Sequence, residues 1–319
     1  ALARKAGGPV WYNMWYSMGT RRLDTYFQET WRNARYGGRT HYHGFECPNE
    51  GVVLELRGQG MLEQIEEMEK LVERITAFQE GQPDSRILVV FGMEAATNWV
   101  MNEPGLTAWR CSSPTQDRIL ELSRDLFEQG FLHDLVPSTE VANGSVRLEN
   151  GKLCYGKEHT YDALVVLFPE SIQAEVWQFL KDYRAQGYLL AGCGTLTHLN
   201  GGRNVQAEFE EWKHGLPWWE DLAEVTPLVE VLHTWGMEVT NFGSGAVFTD
   251  GSVIFTNTGS KNVGNPLEVK QRVFGRLVEF TGEDFLALKL TPEGDIERVD
   301  FGRCKYLRID GKDVCRAED

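Results

Sequence analysis

Apolar positions recur at two different spacings along this chain. Met61, Leu62, Ile65, Met68, Leu71, Val72, Ile75 and Phe78 return every three or four residues, with acidic side chains between them. That stripe predicts an amphipathic helix over 60–79. Residues 163–168 form instead a continuous apolar run with Val165 and Val166 adjacent, as in a strand buried on both faces. Pro169 stops the run and Ser171 offers an N-cap. Ile172, Val176, Phe179, Leu180 and Tyr183 then return at helical spacing to about Gln186. Gly187 ends that helix, and 188–191 is a second short apolar strand. Strand, helix and strand in so short a span form a βαβ unit, parallel and right-handed.

The same reading extends in both directions. The aromatic-rich residues 10–16 predict a strand, 21–35 a helix and 39–47 another strand, so the first 80 residues read β-α-β-α. That pattern matches the tail of a larger (β/α) barrel or layered sheet and is too small to bury itself alone. Gly81 to Ser85 is the boundary, and a buried strand over 86–93 opens the next domain. A helix over 114–129, a strand over 131–137 and a hairpin over 145–155 turning at Asn150-Gly151 follow. After the βαβ unit come a helix over 224–237 and a closing strand over 239–242. Four parallel strands alternating with helices predict a flavodoxin-like sheet. From Ala246 the pattern changes to short strands: a hairpin with Asp250-Gly251 at its turn, then 269–280, 285–290, 296–301 and 306–309, with turns such as Thr281 to Asp284 between. These predict a small antiparallel β-sandwich. The expected fold is therefore α/β: a barrel tail over 1–80, a flavodoxin-like domain over 81–244 and a β-sandwich over 245–319.

Charge narrows the partners. With 32 basic and 47 acidic residues the net charge is −15, and no Lys/Arg run supplies the basic face that a phosphate backbone needs. Nucleic acid is thereby disfavoured, and a neutral sugar is compatible. The six cysteines are scattered without any C-x-x-C, so they read as free thiols, neither a disulfide frame nor a zinc site. No run approaches the apolar length of a membrane helix. The first residues lack both an initiator Met and a signal-peptide core, giving the expectation of a fragment or processed chain, cytoplasmic in location.

Three stretches carry a resemblance. Thr30-Trp31-Arg32 with Gly38-Arg-Thr-His-Tyr-His-Gly44 looks like the end of a barrel, the helix from Met61 to Phe78 looks like its last helix, and Tyr161 to Gly194 looks like an amidotransferase-like segment. In this order the chain resembles the beta-galactosidases of glycoside hydrolase family 42, over nearly its whole length. The resemblance implies a carbohydrate substrate, a glutamine-amidotransferase-like domain that mediates trimerisation, and a missing N-terminal barrel segment holding the acid/base. It also implies a nucleophilic Glu at the end of the seventh barrel strand. The corresponding strand here carries Asn13, Met14 and Trp15 and no carboxylate, so the catalytic pair is not identified.

Glu46 ends the second barrel-like strand, where active sites of such barrels gather. With Trp15, Tyr16 and His43 it forms the candidate substrate-binding set, the rings stacking on apolar sugar faces; rim packing is the plainer reading of the same residues. His41-x-His43 would put two imidazoles on one strand face, but no third ligand accompanies them, and hydrogen-bonded structure is the expectation. No metal or cofactor is expected. Cys193, in Gly192-Cys193-Gly194, follows a buried strand as an amidotransferase nucleophile would. A loop and not a helix follows it, so a degenerate site is expected. Trp212, Trp218 and Trp219 are read as lying in a long loop that either reaches a neighbouring site or packs on its own domain. A non-catalytic carbohydrate-binding or assembly module and a Cys-dependent amidotransferase-like enzyme are the alternatives.

Overall fold

The computed structural model of the chain describes residues 1–8, 10–13, 23–41, 62–97, 114–156, 159–259, 263–291 and 293–316. Its first elements are α1 (Leu2–Ala6), β1 (Val10–Asn13), α2 (Leu23–Arg35), β2 (Gly38–His41) and α3 (Leu62–Phe78). Next come β3 (Ile87–Phe91), α4 (Met93–Thr97), α5 (Pro114–Glu128), β4 (His133–Pro137), α6 (Thr139–Ala142), β5 (Val146–Glu149), β6 (Lys152–Tyr155) and β7 (His159–Tyr161). Then follow β8 (Ala163–Leu167), β9 (Ser171–Ile172), α7 (Ala174–Ala185), β10 (Leu189–Cys193), β11 (His198–Leu199), α8 (Gln206–Lys213), β12 (Trp218–Trp219) and α9 (Thr226–Thr234). The last strands are β13 (Gly245–Val247), β14 (Ser252–Thr256), β15 (Pro266–Val273), β16 (Arg276–Leu290), β17 (Ile296–Ile309) and β18 (Lys312–Arg316). Contacts gather the chain into two compact units, Ala1–Gly8 with Ser85–Thr240 and Pro9–Asp84 with Asn241–Asp319. This grouping joins the first and last of the three segments drawn from sequence.

The first unit is built on five parallel strands in the order β4-β3-β8-β10-β12. Counted along the chain this is 2-1-3-4-5, the flavodoxin-like order. Every position of β8 is buried, because alternate side chains serve opposite faces. Leu164 and Val166 join Leu88, Val90 and the α7 residues Val176, Trp177, Leu180 and Tyr183 on one face. Ala163, Val165 and Leu167 join Ile87 and Val89, Ile119 and Leu122 of α5 and Leu228 of α9 on the other. Each fully buried branched side chain contributes about 1.5–3 kcal/mol, so a central strand with no polar position is a stabilising choice. The hairpin β5–β6 turns where Asn150 and Gly151 both have positive φ, at 52° and 76°, as its sequence predicts.

Three details differ from the sequence expectation. Ser171 lies in β9, paired with β11, and α7 starts after Gln173, which makes no side-chain cap. Residues 206–213 are helical; the indole of Trp177 meets the rings of Phe209 and Trp212 at 6.1 and 4.9 Å between ring centres. Aromatic contact therefore orders part of a stretch that reads as loop from sequence. Trp218 and Trp219 supply the fifth parallel strand beside Gly192 and Cys193, while 239–242 makes only a single bridge, from Asn241 to Ala246.

In the second unit β1 and β2 are parallel neighbours, with Val10 opposite Gly38 and Asn13 opposite His41. Phe27, Trp31 and Ala34 of α2 and Met68, Ile75 and Phe78 of α3 are buried, the stripe that the periodicity predicts. All six strands from β13 to β18 are antiparallel and belong to one sheet. β16 runs unbroken through Thr281 to Asp284, the stretch read from sequence as a turn, and absorbs it as a bulge against β17. The turn lies earlier, at Phe274-Gly275 between β15 and β16. The two separate sheets of the expected sandwich are thus one continuous sheet, bent at bulges that increase local twist.

Arg35 ties α2 to that sheet. It is buried, and donates to Thr256 Oγ1 at 3.0 Å and to the carbonyls of Gly243, Thr256 and Asn257. Thr256 in turn donates to Trp31 O at 3.0 Å. On α3, Arg74 pairs with Asp300, and the Arg298 guanidinium lies 4.5 Å over the Phe78 ring. Among the described residues no helix is long and apolar enough to cross a membrane.

Candidate functional site

An open parallel sheet binds ligands beyond the carboxyl ends of its strands, where the strand order reverses. Here that point lies between β3 and β8. The chain leaves β3 through Gly92 into α4 and leaves β8 through Phe168-Pro169. Phe168 has φ 49°, a left-handed conformation that costs an ordinary residue about 1–2 kcal/mol. Two glycines accommodate it. A Cβ on Gly92 would stand 2.2 Å from Phe168 O, and one on Gly194 would stand 2.9 Å from Phe168 Cα. The strained turn is therefore wedged between the ends of β3 and β10, and the Phe168 side chain joins the hydrophobic core.

Around this wedge polar side chains bond to one another, although Gln173 Oε1 is buried without a partner. Glu94 Oε1 accepts from Gln173 Nε2 at 2.7 Å and from Asn200 Nδ2 at 2.8 Å. Ser138 Oγ donates to Glu94 Oε2 at 3.4 Å and accepts from Met93 N at 3.1 Å. Ser171 Oγ donates to Asn200 Oδ1 at 3.1 Å. The network uses the carboxylate as a structural acceptor tying α4 to the segments after β4, β8 and β10. Glu94 lies 79 residues from Gln173 and 106 from Asn200, and the three form no motif, so they escape a sequence search.

Cys193 ends β10 and has no exposed surface. Burial pushes its thiol up to about 11, away from the thiolate that nucleophilic attack requires. Gly194 and a loop follow, with no helix whose dipole would oppose this. The strained elbow geometry falls on Phe168, one strand away from the sulfur.

A cleft of about 270 Å³ opens in the second unit. Glu67, Lys70 and Leu71 of α3, Val263-Gly264, Glu283-Asp284 of β16 and Gly302-Arg303 of β17 line it. Asp284 is only 3% exposed and has φ 65°; its Oδ1 accepts from Gly264 N at 2.9 Å. Burial, reinforced by the neighbouring Glu283, raises its pKa although the Gly264 and Asn265 amides oppose the shift. Glu283 Oε2 faces Arg303 Nε at 3.4 Å. The cleft thus offers acceptors on three carboxylates and donors on Lys70 and Arg303, a mixture suited to a polar, hydroxyl-bearing ligand. Glu283 and Asp284 look like part of a turn in sequence, and the bulged pairing of β16 with β17 brings them beside Gly302 and Arg303.

Trp15, Tyr16, His43 and Glu46, the residues that sequence places at a sugar subsite, lie outside the described residues. Of the His41-x-His43 pair only His41 is described, as the last residue of β2. Among the described residues no three His, Cys, Asp or Glu side chains group to hold a metal ion.

No family model and no curated protein matches the chain. Solved structures do show similarity. An apo exo-carrageenase GH42 from Bacteroides ovatus is 9% identical with a TM-score of 0.40, over 95% of this chain and 39% of that one. A beta-galactosidase from Rahnella sp. R3 is 10% identical with a TM-score of 0.37, over 90% and 41%. Gan42B, a GH42 beta-galactosidase, is 14% identical with a TM-score of 0.35, over 94% and 38%. The chain spans about two fifths of the length of these proteins. Identities this low transfer no site residue.

Proposed function

We propose that the chain is part of a glycoside hydrolase acting on a carbohydrate, in which the flavodoxin-like unit serves subunit assembly and not catalysis. The observation that speaks against catalysis in that unit lies at the carboxyl ends of its strands. Phe168 occupies the strained turn where an elbow would present a nucleophile, and Cys193 is sealed beneath the surface with its thiol pKa raised. The first half rests on the order of elements: a β-α-β-α segment, a flavodoxin-like sheet and an antiparallel sheet, as in the hydrolases that the sequence resembles. Trp15, Tyr16, His43 and Glu46 would contact sugar in that reading. Hydrolysis needs two carboxyl groups ~5 to 10 Å apart across the scissile bond, and in this reading an N-terminal barrel segment would supply the acid/base. The described cysteines are free thiols, which suits a reducing cytoplasm.

Sedimentation equilibrium tests the assembly role: a homo-oligomer, a trimer by the resemblance, is expected, and a monomer at every concentration refutes it. A second reading, a non-catalytic carbohydrate-binding module, is favoured by the cleft between α3 and the β16–β17 bulge. Calorimetric titration against oligosaccharides separates the two; binding abolished by substitutions at Lys70 and Arg303, in a chain without hydrolytic activity when extended, would support the module.

A further inference from the structure

Two of the free cysteines sit side by side. Cys315 on β18 is directly opposite Leu307 on β17. Leu307 is buried and faces the core of the antiparallel sheet opposite Phe280, so Cys315, its cross-strand partner, lies on the same face. Cys304 on β17 is opposite Gly282, two residues beyond Phe280 on β16, with the register shift at Thr281/Gly282 between them. That shift returns Cys304 to the core face, next along β17 to Leu307. Both sulfurs pack against the same hydrophobic cluster. Burial, with Cys315 as neighbour, pushes the Cys304 thiol up to about 12.

We propose that Cys304 and Cys315 are the site of a reversible intrachain disulfide that clips β18 to β17. The oxidant is a small disulfide such as oxidised glutathione. One thiol loses its proton and its sulfur attacks the small disulfide, releasing one reduced small thiol. The second thiol, deprotonated in turn, displaces the second small thiol. Two S–H bonds are lost, one protein S–S bond forms, and two electrons reduce the oxidant to two thiols. The partly buried Cys304, its thiol pKa raised, reacts slowly at neutral pH and faster under mildly alkaline conditions. β18 is held by four residue pairings to a single neighbour, so a covalent link would change its opening more than that of any inner strand.

The sequence makes the test direct. Trypsin cuts after Arg303, Lys305, Lys312 and Arg316, placing Cys304 and Cys315 in separate short peptides. The whole chain is incubated with oxidised glutathione at mildly alkaline pH, alkylated with iodoacetamide, digested without reduction and analysed by mass spectrometry. The expected product is the Cys304–Cys315 linked peptide, abolished by reduction and absent from Cys304→Ser and Cys315→Ser. Hydrogen exchange at the β18 amides should slow by on the order of tenfold to a hundredfold in the oxidised chain, from closure of the loop between the two sulfurs. Recovery of both cysteines alkylated, as separate glutathione adducts, or linked to another cysteine would overturn the proposal. The wild-type peptide map is decisive on its own should either serine variant fold poorly.

Discussion

Asp284 offers a sharp test of how the bulged strand is held. It is buried, left-handed, and bonded through Oδ1 to the Gly264 amide. Asp284→Ala removes the acceptor, leaving an amide without its partner at about 1–3 kcal/mol. It also places a residue with no local side-chain hydrogen bond at φ 65°, adding about 1 kcal/mol. The expected loss is about 2–4 kcal/mol. Asp284→Asn keeps the oxygen and tolerates the conformation, and it removes the charge that burial disfavours. At neutral pH it should fall within about 1 kcal/mol of wild type, on either side. The sign of the pH dependence follows from the raised folded pKa. Unfolded, the carboxyl titrates near about 3.9; between that value and its higher folded pKa, the native state binds the additional proton. This group's contribution to stability therefore falls as pH rises through the window and stays at its lower level above it. Urea unfolding of wild type and both variants across the acidic range measures this. The wild-type minus Asn difference should decline from about pH 4 toward neutrality. A difference independent of pH, or an Asn variant as unstable as the Ala variant, refutes the reasoning.

Gly92→Ala forces a methyl to 2.2 Å from the Phe168 carbonyl; a loss of about 1–3 kcal/mol or more is expected in thermal unfolding, and a neutral result would deny the close approach of the two strand ends. Arg35→Met removes a buried guanidinium from Thr256 and three carbonyls, so a fall of about 2–4 kcal/mol should appear as a lower urea midpoint with unchanged slope. Cys193 should be alkylated by iodoacetamide under native conditions far more slowly than Cys304 or Cys315, since it is fully buried; preferential labelling of Cys193 would revive the amidotransferase reading. Asp134, buried against Arg4 at 2.6 Å and Tyr161 at 2.8 Å, has its pKa lowered although burial opposes ionisation. Its stabilisation is full above the unfolded pKa and is lost as pH falls through the folded one, so Asp134→Asn should cost most at neutral pH and progressively less in acid.

Periodicity made most of the architecture legible where one physical rule governs the segment. The run from Ala163 to Leu167 is buried on both faces, and α3 and α5 begin and end within two residues of the bounds read from sequence. Failures occurred where tertiary contact overrides local pattern. Residues 206–213 have a mixed composition but fold because Phe209 and Trp212 find Trp177. Thr281 to Asp284 carries turn residues, yet long pairing on both sides keeps β16 extended through a bulge. The polar cluster around Glu94 was invisible because parallel-sheet crossovers, not sequence spacing, bring its members together. The elbow was sought at a cysteine, the residue with the chemistry, whereas backbone strain settled on Phe168, which has none.

The most direct measurement compares the hydrolysis of a panel of aryl glycosides by this chain and by a form extended at its N-terminus to complete a barrel. The account predicts turnover by the extended form alone, undiminished by Cys193→Ser. Full turnover by the short chain, or an extended form that loses its activity with Cys193, would contradict it.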